Sequence, residues 1–385
     1  MANDYQVAVI GRGMIGSAAA RHLAEADVRV VLIGAGEPAD YATSTGPFAS
    51  HYDQGRITRI SSASPVWAEL AARSIARYDD IAERSGRQFH DARGLAQTSS
   101  DTQAAIDNAL ARGGDARLVD RAWLRETTGI TVREDHPGTV FYEGAPAGVI
   151  DPRQLVTAQT LLAARAGALL IESPATAVRS QHSGLTIECG TTVTADYVIL
   201  ATGAYGASLV GLELALERRL RTIVLAELGP GHEIPTYIDD APEHSGLHEI
   251  YWVPPVRFPD GRTMLKIGGN SLPIIAAESD ADIARWFQGG GSEAETVALQ
   301  ATVRSLLPRS TISSWDHKPC VVTNTKTELP FIGFVDERVI VALGASGSGA
   351  KSSDELGRLA ATLTTPAGWQ DGTLDLELFR PQPAS

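Results

Sequence analysis

Cysteine is almost missing from this chain of 385 residues, which holds only Cys189 and Cys320. Two cysteines cannot build a disulfide framework or a cysteine-rich zinc site, and such sparing use fits a reducing compartment. Basic residues are also few, with 33 Lys and Arg against 46 Asp and Glu and a net charge of −13. A surface that is acidic on balance argues against general nucleic-acid binding, which calls for a basic stripe. It also means that an anionic ligand needs a basic site of its own. Long apolar runs are lacking: Val7–Ile10 falls far short of the about 20 residues that span a bilayer. No N-terminal stretch has the charged, apolar and cleavage-site order of a secretory signal. A cytoplasmic protein with neither membrane nor nucleic-acid partners is therefore expected. The nine histidines show no HExxH-type spacing and no serine sits in a GxSxG elbow, so neither a metal site nor a serine hydrolase is expected.

What the chain does have is glycine, 37 residues of it, concentrated in turns at both ends. Gly11-Arg12-Gly13-Met14-Ile15-Gly16 follows the apolar run Gln6–Ile10 and precedes a helical pattern through Ala26. Val28–Ile33 then reads as the next parallel strand of a βαβ unit. In such a unit the first glycine permits the tight turn, the second lets the backbone approach a pyrophosphate, and the third lets helix and strand pack closely, while the helix N-terminus attracts phosphate charge. An acid that binds the ribose is expected at the end of the second strand. Gly34 stands there, and Glu37, three residues on, is the candidate to replace it. The second turn, Gly344-Ala345-Ser346-Gly347-Ser348-Gly349-Ala350-Lys351, follows the strand-like Val339–Leu343 and precedes a helix over Asp354–Leu363. A third strand, Tyr197–Leu200, ends in Ala201-Thr202-Gly203. Cofactor contacts are thus expected from Gly11, Gly13, Met14, Ile15, Gly16, Thr202, Gly203, Gly344, Ser346, Gly347 and Gly349. If both ends fold around one dinucleotide, the middle of the chain must leave that domain and return, an organisation that favours a flavoenzyme over a simple nicotinamide dehydrogenase.

Between these turns, a polar loop covers residues 34–65, and a helical stretch follows with Trp67, Leu70, Ile75, Tyr78 and Ile81 on one face. Residues 86–145 mix short strands with a polar helix. Asp151-Pro152 starts an alanine-rich helix to about Ala166, with Gly167 past its end. Leu169–Ile171 and Leu185–Cys189 read as strands, and Asp280–Gln288 as a helix. Length points to roughly two or three domains. The expected fold is α/β, a Rossmann-like FAD-binding domain (residues 1–85, 146–205 and 318–385) interleaved with an α+β substrate domain (86–145 and 206–317) carrying a large mixed or antiparallel sheet.

Five short motifs follow one another in order: the first glycine turn, Gly55-Arg56-Ile57-Thr58-Arg59, Leu265-Lys266-Ile267-Gly268, Lys318-Pro319-Cys320-Val321-Val322-Thr323, and the second glycine turn. Together they resemble the monomeric sarcosine oxidase and N-methyl amino acid oxidase group of the D-amino acid oxidase and glycine oxidase superfamily. The resemblance covers most of the chain. It implies bound FAD, with Arg56 against the flavin and Arg59 and Lys351 gripping a substrate carboxylate. It further implies that Lys266 promotes reaction with oxygen, that Cys320 links covalently to the flavin, and that Tyr251 walls the pocket. Cys189, in an alternating strand, reads as structural. Three positions depart from the family pattern: Asn270 and Ser348 replace histidines, and Val322 replaces an aromatic residue. Each change widens the pocket. The expected activity is therefore FAD-dependent oxidation of a secondary amino acid to an imine that hydrolyses, with O2 reduced to H2O2. The expected substrate is an N-substituted glycine bulkier than sarcosine, giving an amine and glyoxylate. Demethylation of an N-methyl amino acid, or transfer of electrons to a protein acceptor, are the alternatives, and a monomer or small homo-oligomer is expected.

Overall fold

The computed structural model describes residues 3–229, 233–240, 247–271 and 273–384. Its first sheet has at its centre the parallel strands Leu169–Ile171, Val30–Ile33, Tyr5–Ile10, Thr192–Leu200 and Val339–Leu343, in that spatial order. The residues of Val7–Ile10, Val30–Ile33, Val198–Leu200 and Val339–Leu343 are all buried. Unbroken apolar runs are what a parallel sheet covered on both faces requires, and each such large side chain contributes about 1.5–3 kcal/mol by leaving water. Because the strands run parallel, Gly11, Ala201 and Gly344 all emerge at the same edge, beyond the strands' carboxyl ends. Ligands of open α/β sheets bind in that crevice.

Helices Met14–Glu25 and Gly349–Thr362 leave the two glycine turns and lie against each other. A Cβ at Gly357 would come within 2.6 Å of Ala19 N and 2.7 Å of Ile15 O, so glycine is what permits this spacing. The contact is cemented by Asp354, fully buried, which accepts from Arg21 Nη2 at 2.7 Å and Gln159 Nε2 at 2.8 Å. Arg77 pairs with Asp354 and with Glu355. That pairing explains a difference from the sequence reading: the single helical stretch over residues 67–81 is two helices, Pro65–Ile75 and Tyr78–Ser85. The break at Ala76-Arg77 swings the guanidinium onto these buried carboxylates, while Trp67, Leu70, Ile75, Tyr78 and Ile81 all remain buried as expected. The last helix also begins earlier than expected, at Gly349 rather than Asp354.

The second sheet, nine-stranded among the described residues, is mixed. Its spine is Leu216–Leu228, which pairs antiparallel with Ile312–Thr325 from Leu216↔Thr325 to Leu228↔Ile312. On its other side lies Thr263–Ser271, then Leu247–Arg257 and Thr236–Asp239. The last of these pairs parallel with Leu95–Ser99. Strand Ile312–Thr325 runs through position 318, where the sequence reading divides two domains. Helix Asp280–Gln288 matches its expected span and opens with a Ser279–Asp282 capping box. Helix Glu293–Leu306 is not anticipated from the sequence. A small sheet of Arg56–Thr58, His90–Asp91 and Gly148–Ile150 brings Arg56 beneath the seam between the large sheets. No helix among the described residues is long and apolar enough to cross a membrane.

Candidate active site

A cavity of about 970 Å³ runs along that seam. Both glycine turns line it, through Gly11, Gly13, Met14 and Ile15 at one end and Gly344, Ser346, Gly347 and Gly349 at the other. Thr202 and Gly203 lie between them. From the second sheet come Tyr251, Lys266, Asn270 and Cys320, and Arg56, Arg59 and Lys351 complete the wall. Val322 and Ser348, two of the smaller residues noted in the sequence, also face this space.

Two expected cofactor contacts are not brought to the cavity. Gly16 does not line it; a Cβ there would lie 1.8 Å from Gly11 O, so this glycine serves the tight turn beneath the cavity. Glu37 is committed elsewhere. Its carboxylate accepts from Arg153 Nη2 at 2.6 Å and from Tyr41 Oη at 2.8 Å, and the Arg153 guanidinium holds it below the usual carboxylate range. The space beside Gly34 is filled by Arg12, whose backbone N would stand 2.8 Å from a Cβ at position 34. Arg12 in turn pairs with Glu172 at 2.8 Å, and its Nε is buried without a partner among the described residues. The sequence reading missed this arrangement because Glu172 follows the neighbouring strand, Leu169–Ile171, rather than the second one.

The chain's own surfaces suit a dinucleotide. Neither Gly13 nor Ser348, which precede the two helices, makes a side-chain cap, so the first amides of each helix are left for an acceptor, and helix N-termini favour anions. A Cβ at Gly347 would meet nothing within 4 Å, and one at Gly13 only His51 Nδ1 at 3.8 Å. The backbone of each turn is thus open to the cavity. His51 also lines the cavity, and burial, reinforced by Arg153 and Arg12, pushes its pKa down to about 4. It is a neutral hydrogen-bonding group at neutral pH.

Residues 6–363 match the sequence pattern of the DAO family, the FAD dependent oxidoreductases. The chain belongs to this family. It is 25% identical over 381 residues to N-methyl-L-tryptophan oxidase of Yersinia pestis (strain Pestoides F), covering 93% of this chain and 94% of the relative. Its fold is that of NikD, an unusual amino acid oxidase essential for nikkomycin biosynthesis (TM-score 0.79, 18% identity, 99% and 98% of the two chains). It is equally that of glycine oxidase from Geobacillus kaustophilus (TM-score 0.71, 22% identity, 98% of each). The protein is an FAD-dependent oxidoreductase of the amino acid oxidase family, and its cofactor is FAD.

In this oxidoreductase the cationic side chains fall into two groups. Lys351 is 3% exposed, and its ammonium is buried without a hydrogen-bond partner among the described residues. Burial and the neighbouring Arg59 draw its pKa well below the usual lysine range. Arg59 is fixed by its Nε, which donates to Ser61 O at 2.8 Å; among the described residues its terminal nitrogens have no partner. The backbone around Arg59 is set by Glu143, fully buried, which accepts from Ile60 N at 2.8 Å and Ser61 N at 2.9 Å. Glu143 is a positioning residue that no local sequence motif marks. Asn270 donates to Glu249 at 2.6 Å and leaves its Oδ1 buried and unpartnered. Tyr251 lies over Gly268, where a Cβ would meet the phenol oxygen at 2.6 Å.

The second group surrounds Lys266, which sits in register between Leu225 and Val253. Lys266 Nζ donates to Asp53 Oδ2 at 2.8 Å and to Gly55 O. Arg56 donates to the same carboxylate. Cys320, opposite Arg221 in the sheet, is half-buried at the cavity wall. Cys189 is buried in the first sheet's packing, away from the cavity. Among the described residues no group of three His, Cys, Asp or Glu could hold a metal ion.

Proposed function

We propose that this oxidoreductase is an oxidase of secondary amino acids whose substrate is an N-substituted glycine bulkier than sarcosine. The net reaction consumes R–NH–CH2–COO⁻, O2 and water, and yields R–NH2, glyoxylate and H2O2. The observation that carries this reading is the unpartnered buried ammonium of Lys351 near the unpartnered guanidinium nitrogens of Arg59. Glu143, Glu249 and Asp240 act on Arg59 from a distance, and Glu143 on Lys351, but among the described residues none of them takes up the Lys351 nitrogen or the terminal nitrogens of Arg59. Donors left open in this way suit an anionic ligand, and a guanidinium meets both oxygens of a carboxylate.

FAD supplies the two-electron acceptor. The residues then have distinct tasks. Arg59 and Lys351 anchor the carboxylate and so position the carbon–hydrogen bond next to the substrate nitrogen, an orientation effect worth several kcal/mol. The substrate amine reacts neutral, its lone pair assisting loss of hydride. Tyr251 and Asn270 bound the space for the nitrogen substituent, and Val322 and Ser348 leave that space wide. Backbone amides of both glycine turns would hold the cofactor's phosphates. Arg56 would stand against the ring system, and Lys266 would provide fixed positive charge where dioxygen is reduced. Cys320 would hold the flavin through a thioether, the two electrons released as that bond forms passing to the flavin itself and then to O2. The linkage has its own test: acid precipitation leaves the yellow colour in the pellet, and Cys320→Ser releases it to the supernatant. Colour released from the unaltered protein contradicts the linkage.

The relationship to N-methyl-L-tryptophan oxidase favours a second reading, in which the oxidised carbon is an N-methyl group and formaldehyde is released. A peroxide-coupled screen of N-alkylglycines and N-methyl amino acids, with products identified by mass, separates the two. Glyoxylate with free amine supports the first and formaldehyde the second. Peroxide from neither class contradicts both.

A further inference from the structure

Asp53 is a buried acid for which the reaction above has no use. It sits in the segment before strand Arg56–Thr58 and is 6% exposed. Its placement is specific. Gln54 N donates to its Oδ1 at 2.8 Å, which fixes the carboxylate, and Oδ2 receives both Lys266 and Arg56. Gly55 allows the close approach: a Cβ there would lie 2.6 Å from Val253 Cγ1, on the strand next to that of Lys266.

Lys266 is 1% exposed. The residues opposite it on the flanking strands, Leu225 and Val253, are apolar. The charged or titratable groups that face it are Arg56 beside Asp53, Lys318 and Cys320 on strand Ile312–Thr325, and, in the same cluster, Tyr251. Two of these are cations, and among the described residues the one carboxylate in contact with the ammonium is Asp53. Burial first, and then Arg56 and Lys318, drive the ammonium toward losing its proton, with Cys320 acting the other way. A carboxylate at 2.8 Å opposes that loss.

We propose that Asp53 holds the proton on Lys266 and so keeps a cation in place for the reduction of dioxygen; this rests on the oxidase reading above. Asp53 touches neither substrate nor oxygen. It is a positioning residue that acts through the lysine. The pair can exchange protons with solvent, because Asp53 and Arg56 also line a second cavity of about 200 Å³ walled by Tyr41, Phe48 and Phe287.

The test uses the FAD-loaded protein with 13Cε-labelled lysine. The Lys266 resonance is assigned by its loss in Lys266→Met and followed against pH, alongside stopped-flow reoxidation of the reduced enzyme by oxygen. In Asp53→Asn the Lys266 titration moves down by about 1–3 pH units. Reoxidation loses its fast phase above that lower pH, while anaerobic reduction by substrate keeps its pH profile. Asp53→Glu, which keeps the charge, restores most of the shift. Should the asparagine variant not fold, Asp53→Ser, which likewise removes the charge, takes its place. A Lys266 titration left unchanged by removal of the Asp53 charge overturns the proposal. If instead the titration moves but Lys266→Met leaves reoxidation untouched, the assignment of Lys266 to oxygen reduction is what fails, and Asp53 retains its hold on the proton.

Discussion

With Arg59 replaced by alanine, kcat/KM for the amino acid substrate falls by roughly 30-fold to several thousand-fold. The estimate follows from the loss of one partner of a desolvated, hydrogen-bonded charge pair, about 2–5 kcal/mol, at about 1.4 kcal/mol per tenfold. Most of the loss appears in KM, because the carboxylate is held equally before and during bond cleavage. The guanidinium is braced by Ser61 O, and Glu143 fixes the backbone on which it stands. Arg59→Lys therefore recovers little, since an ammonium on that stem cannot offer two parallel donors. Steady-state kinetics on the variant check this, with an amine lacking the carboxylate as control. That amine reacts equally poorly with both proteins. A KM unchanged by Arg59→Ala would place the carboxylate elsewhere.

The second large effect is expected at Lys266. Exchange for methionine keeps the length of the side chain and removes the charge from a site that is 1% exposed. Reoxidation by oxygen slows by about 100- to 1000-fold, the range seen when one fixed electrostatic donor is removed from a water-excluded site. Anaerobic reduction by substrate changes much less, because the carboxylate anchors Arg59 and Lys351 belong to a different group of side chains. Stopped-flow measurement of the two half-reactions separates them. Equal slowing of both would refute the role given to Lys266. Slow oxygen turnover in the unaltered enzyme, with rapid reduction of a dye, would point to a protein electron acceptor instead.

The parts of this molecule legible in its sequence are those whose signals are local. Gly11, Gly13 and Gly344 announce tight turns after apolar strands, and the strands do converge at one edge of one sheet. The helix expected over Asp280–Gln288 begins and ends where the sequence places it. What the sequence hid depends on distant partners. The helix break at Ala76-Arg77 is set by Asp354 and Glu355, which no window around residue 77 contains. Glu37 stands three residues past the place expected for a ribose acid and is the candidate to replace it, yet Arg153 captures it and Arg12 takes the place beside Gly34. Asp53 reads as an ordinary loop acid until a strand more than two hundred positions later delivers Lys266 to it. Glu143 reads as a strand end until residues 60 and 61 turn their amides onto its carboxylate.

Everything proposed for the reaction depends on Arg59 and Lys351 together forming the carboxylate site on the face of the cofactor. A crystal structure of the FAD-loaded enzyme with a small non-reactive N-alkylglycine analogue, such as an alkylthioacetate, tests it most directly. Both carboxylate oxygens are expected within hydrogen-bonding distance of the Arg59 guanidinium and the Lys351 ammonium, with the alkyl arm extending past Val322. A carboxylate bound away from both cations, or a flavin lying outside the cavity between the two glycine turns, would contradict it.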